Sequence, residues 1–359
     1  MQMFLILAVI ALIFLVIFQI SKAAEYVGVL KGENETRKQT NKVNGFMMLA
    51  FMIVGLFGVW YCNKVYAPKT LNAFPSASEQ GQKVDSMLIT TLVITGIVFI
   101  LTQILLFWFA FKYQEKEGRK VEYFLHSNKL EFVWTSIPAI TLLILVVFGL
   151  KNWNYFTSEA PSDAMQIEVT GKQFGWIFRY PGADGKFGKK YYRLIDNADN
   201  SLGLIWKDTT VTRVNGEPQD FKDDKAGHDD LVMEQTMYCV VNKPVKLIIG
   251  SRDVIHDVGL SHFRMKMDAV PGTPTTMWFK PVVTTAKMKE LTKNPNFVYE
   301  ISCDQMCGNG HYSMRGVIEV VEQAEYDAWI AKQKPKYASV FAPAEAPKAD
   351  TTKAIAAVK

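Results

Sequence analysis

The 359-residue sequence predicts four membrane-spanning α-helices followed by an all-β Greek-key sandwich or barrel. Three observations carry that expectation. Residues 1–150 hold four long apolar runs with no charge in their interiors. From residue 151 onward, polar and apolar residues alternate in short stretches rich in Val, Ile, Phe and Tyr, the period of half-buried strands. Turn signals at Pro181-Gly182, Pro271-Gly272-Thr273-Pro274 and Asn294-Pro295-Asn296 separate those stretches.

The apolar runs are Met3–Ile20, Phe46–Cys62, Leu88–Phe111 and Phe132–Leu150. Each is close to the roughly 17–25 residues that a bilayer core requires. Lys22, Lys31, Arg37, Lys38 and Lys42 follow the first run, and Lys112, Lys116, Arg119, Lys120 and Lys129 lie between the third and fourth. The positive-inside rule assigns both segments to the cytoplasm and the chain beyond Leu150 to the periplasm of a bacterial inner membrane. Residues 1–24 could instead be a cleaved signal. The Met-Gln-Met start lacks a positive charge and the apolar run is long, so a retained helix is expected.

Four regions follow. Residues 1–66 hold two helices and a cytoplasmic loop; residues 67–153 hold a periplasmic linker and an antiparallel helical hairpin. Residues 154–335 form the β domain, interrupted by an irregular excursion at 182–230 over one end of the barrel. A short amphipathic helix at Ala324–Lys332 precedes a flexible Ala/Lys/Pro-rich tail at 336–359. Strands are expected at Gln166–Thr170, Trp176–Tyr180, Val245–Ile249, Thr276–Lys280 and Val317–Val321. The net charge of +5 comes without a Lys/Arg stripe, which argues against a nucleic-acid partner. Four cysteines in so long a chain do not make a disulfide framework.

Cys303, Cys307, His311 and Met314 gather two thiols, an imidazole and a thioether in one short loop. A Cys303–Cys307 disulfide is one reading, but it leaves His311 and Met314 unexplained. Zinc rarely recruits a thioether. Copper takes thiolate, imidazole and a weak methionine ligand together. One copper needs a single thiolate, so a pair of thiolates suggests two bridged coppers. Each would need an imidazole and a weak axial donor. The second imidazole is expected from His256, at the end of the strand-like run Val245–Gly250. His126, His228 and His262 compete less well by position, Cys239 reads as a buried strand thiol, and Cys62 as a packed or interfacial residue.

Cys303-x3-Cys307-x3-His311-x2-Met314, with Asp253-Val254-Ile255-His256 and Met267–Gly272 before it, resembles subunit II of the cytochrome c oxidases. So do His126–Pro138 and Val169–Trp176, and the likeness runs over roughly residues 84–330. The resemblance implies a cupredoxin-like barrel holding a binuclear copper A centre. In it Cys303 and Cys307 bridge, His256 and His311 cap, and Met314 and the Gln305 backbone carbonyl are axial. It implies an electron-accepting oxidase subunit that takes electrons from cytochrome c or a tethered c-type cytochrome. They would pass to a haem in subunit I, where oxygen reduction and proton translocation occur. A copper-free quinol-oxidase relative is opposed by the complete ligand set. A copper-delivery protein would want an exchangeable site, and nitrous oxide reductase a further catalytic domain.

The chain departs from the family in three places. Gln305 stands where the family usually has Glu, whose side chain holds a magnesium or manganese ion shared with subunit I. A neutral amide holds such a hard cation less tightly. The aromatic cluster that usually reads Gln-Trp-Tyr-Trp is here Gln173-Phe174-Gly175-Trp176, which makes Phe174 and Trp176 the candidate electron acceptors. The two helices before the usual hairpin are expected to pack on other subunits, which truncating residues 1–66 tests by its effect on assembly. Glu131, at the start of the fourth helix, matches a glutamate that marks the family's proton-uptake channel.

Overall fold

Four helices carry the apolar runs: α1 (Gln2–Lys31), α2 (Glu33–Tyr66), α3 (Glu79–Lys112) and α4 (Asn128–Phe156). All four are long and apolar enough to cross a membrane. The computed structural model describes residues 2–116 and 118–341. The chain divides into two compact units, Met1–Ala73 with Leu88–Val147, and Phe74–Met87 with Phe148–Lys359.

The segment between the first two runs is helical rather than the expected loop. Residues 21–31 and 33–45 contain no proline, and i,i+3 pairs such as Lys22–Glu25 and Lys38–Glu35 support the helix surface. Only Gly32, at φ +85°, breaks the run. Within the first unit, α2 meets α3 through Phe46–Phe111 and Phe51–Phe107, with ring centroids 5.1 and 5.6 Å apart. The first turn of α3 joins the last of α4 in the second unit, where Tyr155 donates to Glu79 at 2.9 Å. Asn152 lies 3.8 Å from the Met87 sulfur one step further in, so the two helices run antiparallel there.

The second unit contains strands β1 (Met165–Lys172), β2 (Gly175–Tyr180), β3 (Thr209–Thr212), β4 (Pro218–Phe221), β5 (Leu231–Glu234) and β6 (Thr236–Val240). They are followed by β7 (Val245–Ser251), β8 (His256–Leu260), β9 (Met265–Ala269), β10 (Thr275–Phe279), β11 (Tyr299–Cys303) and β12 (Arg315–Val321). One sheet has the order β10-β7-β1-β2-β5 and the other β6-β12-β11-β8-β9; β3 and β4 form a separate hairpin. Helix α5 (Thr285–Thr292), which sequence periodicity missed, is capped by the Thr284 side chain. Helix α6 (Gln323–Ile330) stands where the amphipathic helix was expected. A last helix, α7 (Lys336–Phe341), occupies the start of the expected tail, whose remainder at 342–359 lies outside the described residues.

The two sheets share one core. Val169, Phe178, Leu247 and Phe279 from the first pack with Met237, Val258, Ile301 and Ile318 from the second, all fully buried. Parallel pairs β1–β7 and β6–β12 close the Greek-key connections.

The excursion does not lie over an end of the barrel. It covers the outer face of β1 and β2, where Ile177 packs with Leu202, Leu204 and Trp206. Every residue of β2 is buried, so this strand is covered on both faces rather than on one. On that outer face the Arg179 guanidinium bonds Glu168 at 2.6 Å and Asp230 at 2.8 Å, and Lys190 pairs with the other Glu168 oxygen.

Candidate metal centre

Two ligand-bearing loops meet at one end of the sandwich. The β7–β8 loop delivers His256 at the first residue of β8, and the β11–β12 loop begins with Cys303 at the last residue of β11. The second loop is closed at its neck by Cys303 N–H donating to the Met314 carbonyl at 3.2 Å. Inside, His311, Ser313 and Met314 N–H each donate to the carbonyl three residues back, so the backbone winds through tight turns. Gly308 has φ +135°, a conformation that a side chain would strain.

This winding turns the soft atoms inward. The Cys303 and Cys307 sulfurs stand 3.7 Å apart as free thiols, so the disulfide reading fails. His256 Nδ1 is 3.8 Å from the Cys303 sulfur, and His311 Nδ1 is 3.6 Å from the Cys307 sulfur. The Met314 sulfur lies 3.8 Å from Cys307, and the Gln305 carbonyl oxygen lies 3.1 Å from Cys303. His256, Cys303, Cys307 and Met314 are buried, and His311 is half-buried. Among the described residues, His256, Cys303 and Cys307 are the one group of three or more whose candidate ligand atoms lie within 4.8 Å of one another.

Their surroundings fix the donors. Asp253 Oδ1 sits 2.8 Å from His256 Nε2, so that nitrogen carries the proton and Nδ1 keeps its lone pair toward the sulfurs. Burial alone would raise the Asp253 carboxyl, but the Gln173 N–H and His256 outweigh it and hold it low. Gly171 leaves room for the imidazole, because a Cβ there would come within 2.7 Å of the ring. Burial, reinforced by Cys303, pushes the Cys307 thiol up to about 11, so a bound metal must displace its proton. The converging set is two thiols, two imidazoles, a thioether and a carbonyl, with no carboxylate pointing in. That chemistry fits a pair of coppers and does not fit a hard cation.

The remaining sequence candidates separate. Gln305 is exposed, with its carbonyl rather than its amide turned to the sulfurs. Phe174 is 41% exposed and lies on Gly310, where a Cβ would stand 2.5 Å from its ring. Trp176 is wholly buried, edge-on to His256 with ring centroids 6.1 Å apart. Pairing with Gly171 places it on the inner face of β2, out of reach of any docked protein. Glu131 is exposed in the first turn of α4, where the helix dipole favours a carboxylate.

His228 stacks on Tyr337 and bonds Asp223, and His262 packs on Phe297 and Tyr299; neither joins the cluster. His126 is exposed. Cys239 is buried on β6, as expected, and Cys62 is exposed. Sequence reasoning missed Asp253, although a carboxylate three residues before a ligating histidine is a readable sign of an orienting partner. It also missed Gln173, whose contacts depend on tertiary structure alone.

Known proteins share both parts of the chain. The family described as cytochrome C oxidase subunit II, transmembrane domain, matches residues 67–151. That described as cytochrome C oxidase subunit II, periplasmic domain, matches residues 165–321. The alternative cytochrome c oxidase subunit 2 of Bradyrhizobium diazoefficiens is 32% identical over 262 residues, covering 72% of this chain and 83% of that protein. Cytochrome c oxidase subunit 2 of Cereibacter sphaeroides is 25% identical over 264 residues, covering 72% and 79%. A crystal structure of the periplasmic domain of subunit II of cytochrome oxidase of Bradyrhizobium japonicum is 24% identical. It covers 48% of this chain and 95% of that one, with a TM-score of 0.30.

Proposed function

The chain belongs to the cytochrome c oxidase subunit II family, and we propose that its periplasmic domain is the electron-accepting module of a haem–copper oxidase in a bacterial inner membrane. The observation that carries this reading is the closed donor set. Two imidazoles, a thioether and a carbonyl oxygen converge on two buried sulfurs 3.7 Å apart. When bound, the copper pair supplies a one-electron relay between a c-type cytochrome and the haem of subunit I.

The chain's own residues make such a relay efficient. Cys303 and Cys307 would hold the copper pair through their thiolates, with His256 and His311 each supplying an imidazole nitrogen. Asp253 locks the His256 tautomer, and the loop's backbone turns resist movement of His311 and Met314. A donor set held this rigidly changes little on gaining or losing an electron, which keeps the barrier to outer-sphere transfer low. Burial of the sulfurs excludes water.

Phe174 receives the donor on this reading. It is exposed beside the ligand loop, with Met306 and Tyr312 adding exposed apolar surface next to Cys307 and His311. Trp176 acts from behind, against His256. Glu131 marks the proton-uptake side at the start of α4. The magnesium or manganese site expected near Gln305 is weakened by its neutral, outward-facing amide.

Copper loading of the purified full-length protein tests the assignment. Two coppers per chain and a seven-line EPR pattern are expected, because one unpaired electron shared by two spin-3/2 nuclei gives seven lines. A four-line signal from isolated copper would overturn it.

A further inference from the structure

The β1–β2 turn donates no metal ligand, yet it touches both loops that do. The Gln173 N–H donates to Asp253 Oδ2 at 2.8 Å, and the same carboxylate holds His256 Nε2 through its other oxygen. The Gln173 side-chain amide donates to the Cys307 carbonyl. Next to it, the Phe174 ring presses on Gly308 and Gly310, and Arg252 N–H donates to the Gly171 carbonyl at 3.0 Å. Gln173 thus bonds, through two separate groups, to the supports of a capping imidazole and of a bridging thiol.

Turn chemistry does not account for these residues. A two-residue hairpin connection favours Asn-Gly, Asp-Gly or a glycine at its first position, and Gln173-Phe174 is none of these. The turn is held by what it grips.

We propose that Gln173 is a positioning residue that clamps the two ligand loops together and holds the donor set in place before copper arrives. The inference rests on the dicopper reading above. Its backbone arm steadies Asp253, and through it the tautomer that turns His256 Nδ1 toward Cys303. Its amide arm fixes the Cys307 carbonyl, and so the direction of the Cys307 sulfur. Losing the amide arm lets the second loop swing relative to the first, which alters the copper–sulfur geometry and loosens the metal.

Gln173→Met keeps the side chain's size and the backbone N–H while deleting the amide donor. In the copper-loaded full-length protein, it should blur or change the seven-line EPR pattern. It should also speed copper release to EDTA by about fivefold to tenfold, the effect of one hydrogen bond. The melting temperature of the copper-free protein should stay near that of wild type. Wild-type spectrum and release rate in this variant would overturn the clamp. So would a lowered copper-free melting temperature with an unchanged spectrum, which would mark a residue that only closes the hairpin.

Hydrogen exchange on copper-free wild-type protein decides the matter if the variant does not fold. The Gln173 amide should be protected, and exchange at the rate of an open loop would refute a clamp formed before metal binding. A wild-type protein that takes up no copper pair would sink the dicopper reading, while this exchange measurement would still judge the clamp.

Discussion

Two buried polar clusters lie on the same pair of strands, and they are built in opposite ways. On the outer face of β1 and β2, Arg179 sits between Glu168 and Asp230, with Lys190 completing the group. Opposite charges within the chain answer one another there. About three residues further along, at the turn end, the inner face abuts His256, whose Nδ1 joins the two cysteine sulfurs and His311 in a cluster of soft atoms 3.6–3.8 Å apart. Burying polar groups costs free energy unless they find partners. The first cluster carries its partners in the sequence, whereas the second awaits one from outside. On the dicopper reading proposed above, that difference separates a structural polar cluster from a binding site.

The comparison breaks most visibly at Arg179. Replacing it with Met leaves the buried Asp230 without its cation and Glu168 with Lys190 alone, and a loss of about 3–5 kcal/mol is expected. That is a large share of the roughly 5–15 kcal/mol typical of a folded protein. Chemical denaturation of the copper-free protein would measure it. Adding Glu168→Gln and Asp230→Asn to the same variant should recover part of the loss, since the uncompensated charges go with them. Copper spectra of whatever remains folded should be unchanged.

Cys307→Ser reverses that pattern. Stability without copper should stay within about 1 kcal/mol of wild type. The seven-line EPR signal should vanish, and turnover with cytochrome c should fall by more than about a hundredfold, beyond what loss of an orienting partner costs. Met314→Leu sharpens the point at smaller amplitude. The thioether is a weak axial donor, so two coppers should remain bound. Affinity should fall by about tenfold and the reduction potential should shift, as seen by titration and voltammetry.

Sequence patterns picked out the converging side chains better than the frame that aims them. Cys303, Cys307, His311 and Met314 are close in sequence, and His256 follows a recognisable strand, so their chemistry was legible. The four membrane helices were legible for the same local reason, an unbroken apolar run. Gln173 and Asp253 were not, because their roles come from three loops meeting in space. The Arg179 network was hidden by the excursion at 182–230, whose Gly, Asp and Lys content reads as solvent-exposed loop. Helix α5 is only eight residues long and lies between turn signals, too short for a helical period to declare itself. The full burial of Trp176 was not legible, because alternation along β2 fails when both strand faces are covered.

The smallest effect separates the two carboxylates of the charged cluster by pH. Burial favours the neutral form of both. At Glu168, Arg179 and Lys190 outweigh burial and hold the carboxyl below its ordinary value. At Asp230, burial wins over Arg179 and the carboxyl is raised. Glu168 therefore contributes stability above its unfolded value of about 4.3, and that contribution is lost as pH falls through its lower folded value. Asp230 works against the fold as pH climbs from about 3.9 through its raised folded value. At pH 7 Glu168→Gln should consequently cost more than Asp230→Asn. The gap should narrow at an acid pH low enough for wild type itself to lose the Glu168 charge. Urea unfolding of both variants at the two pH values checks this. Equal costs at pH 7 would mean that the two carboxylates share Arg179 evenly, and that the cluster has no preferred ion pair.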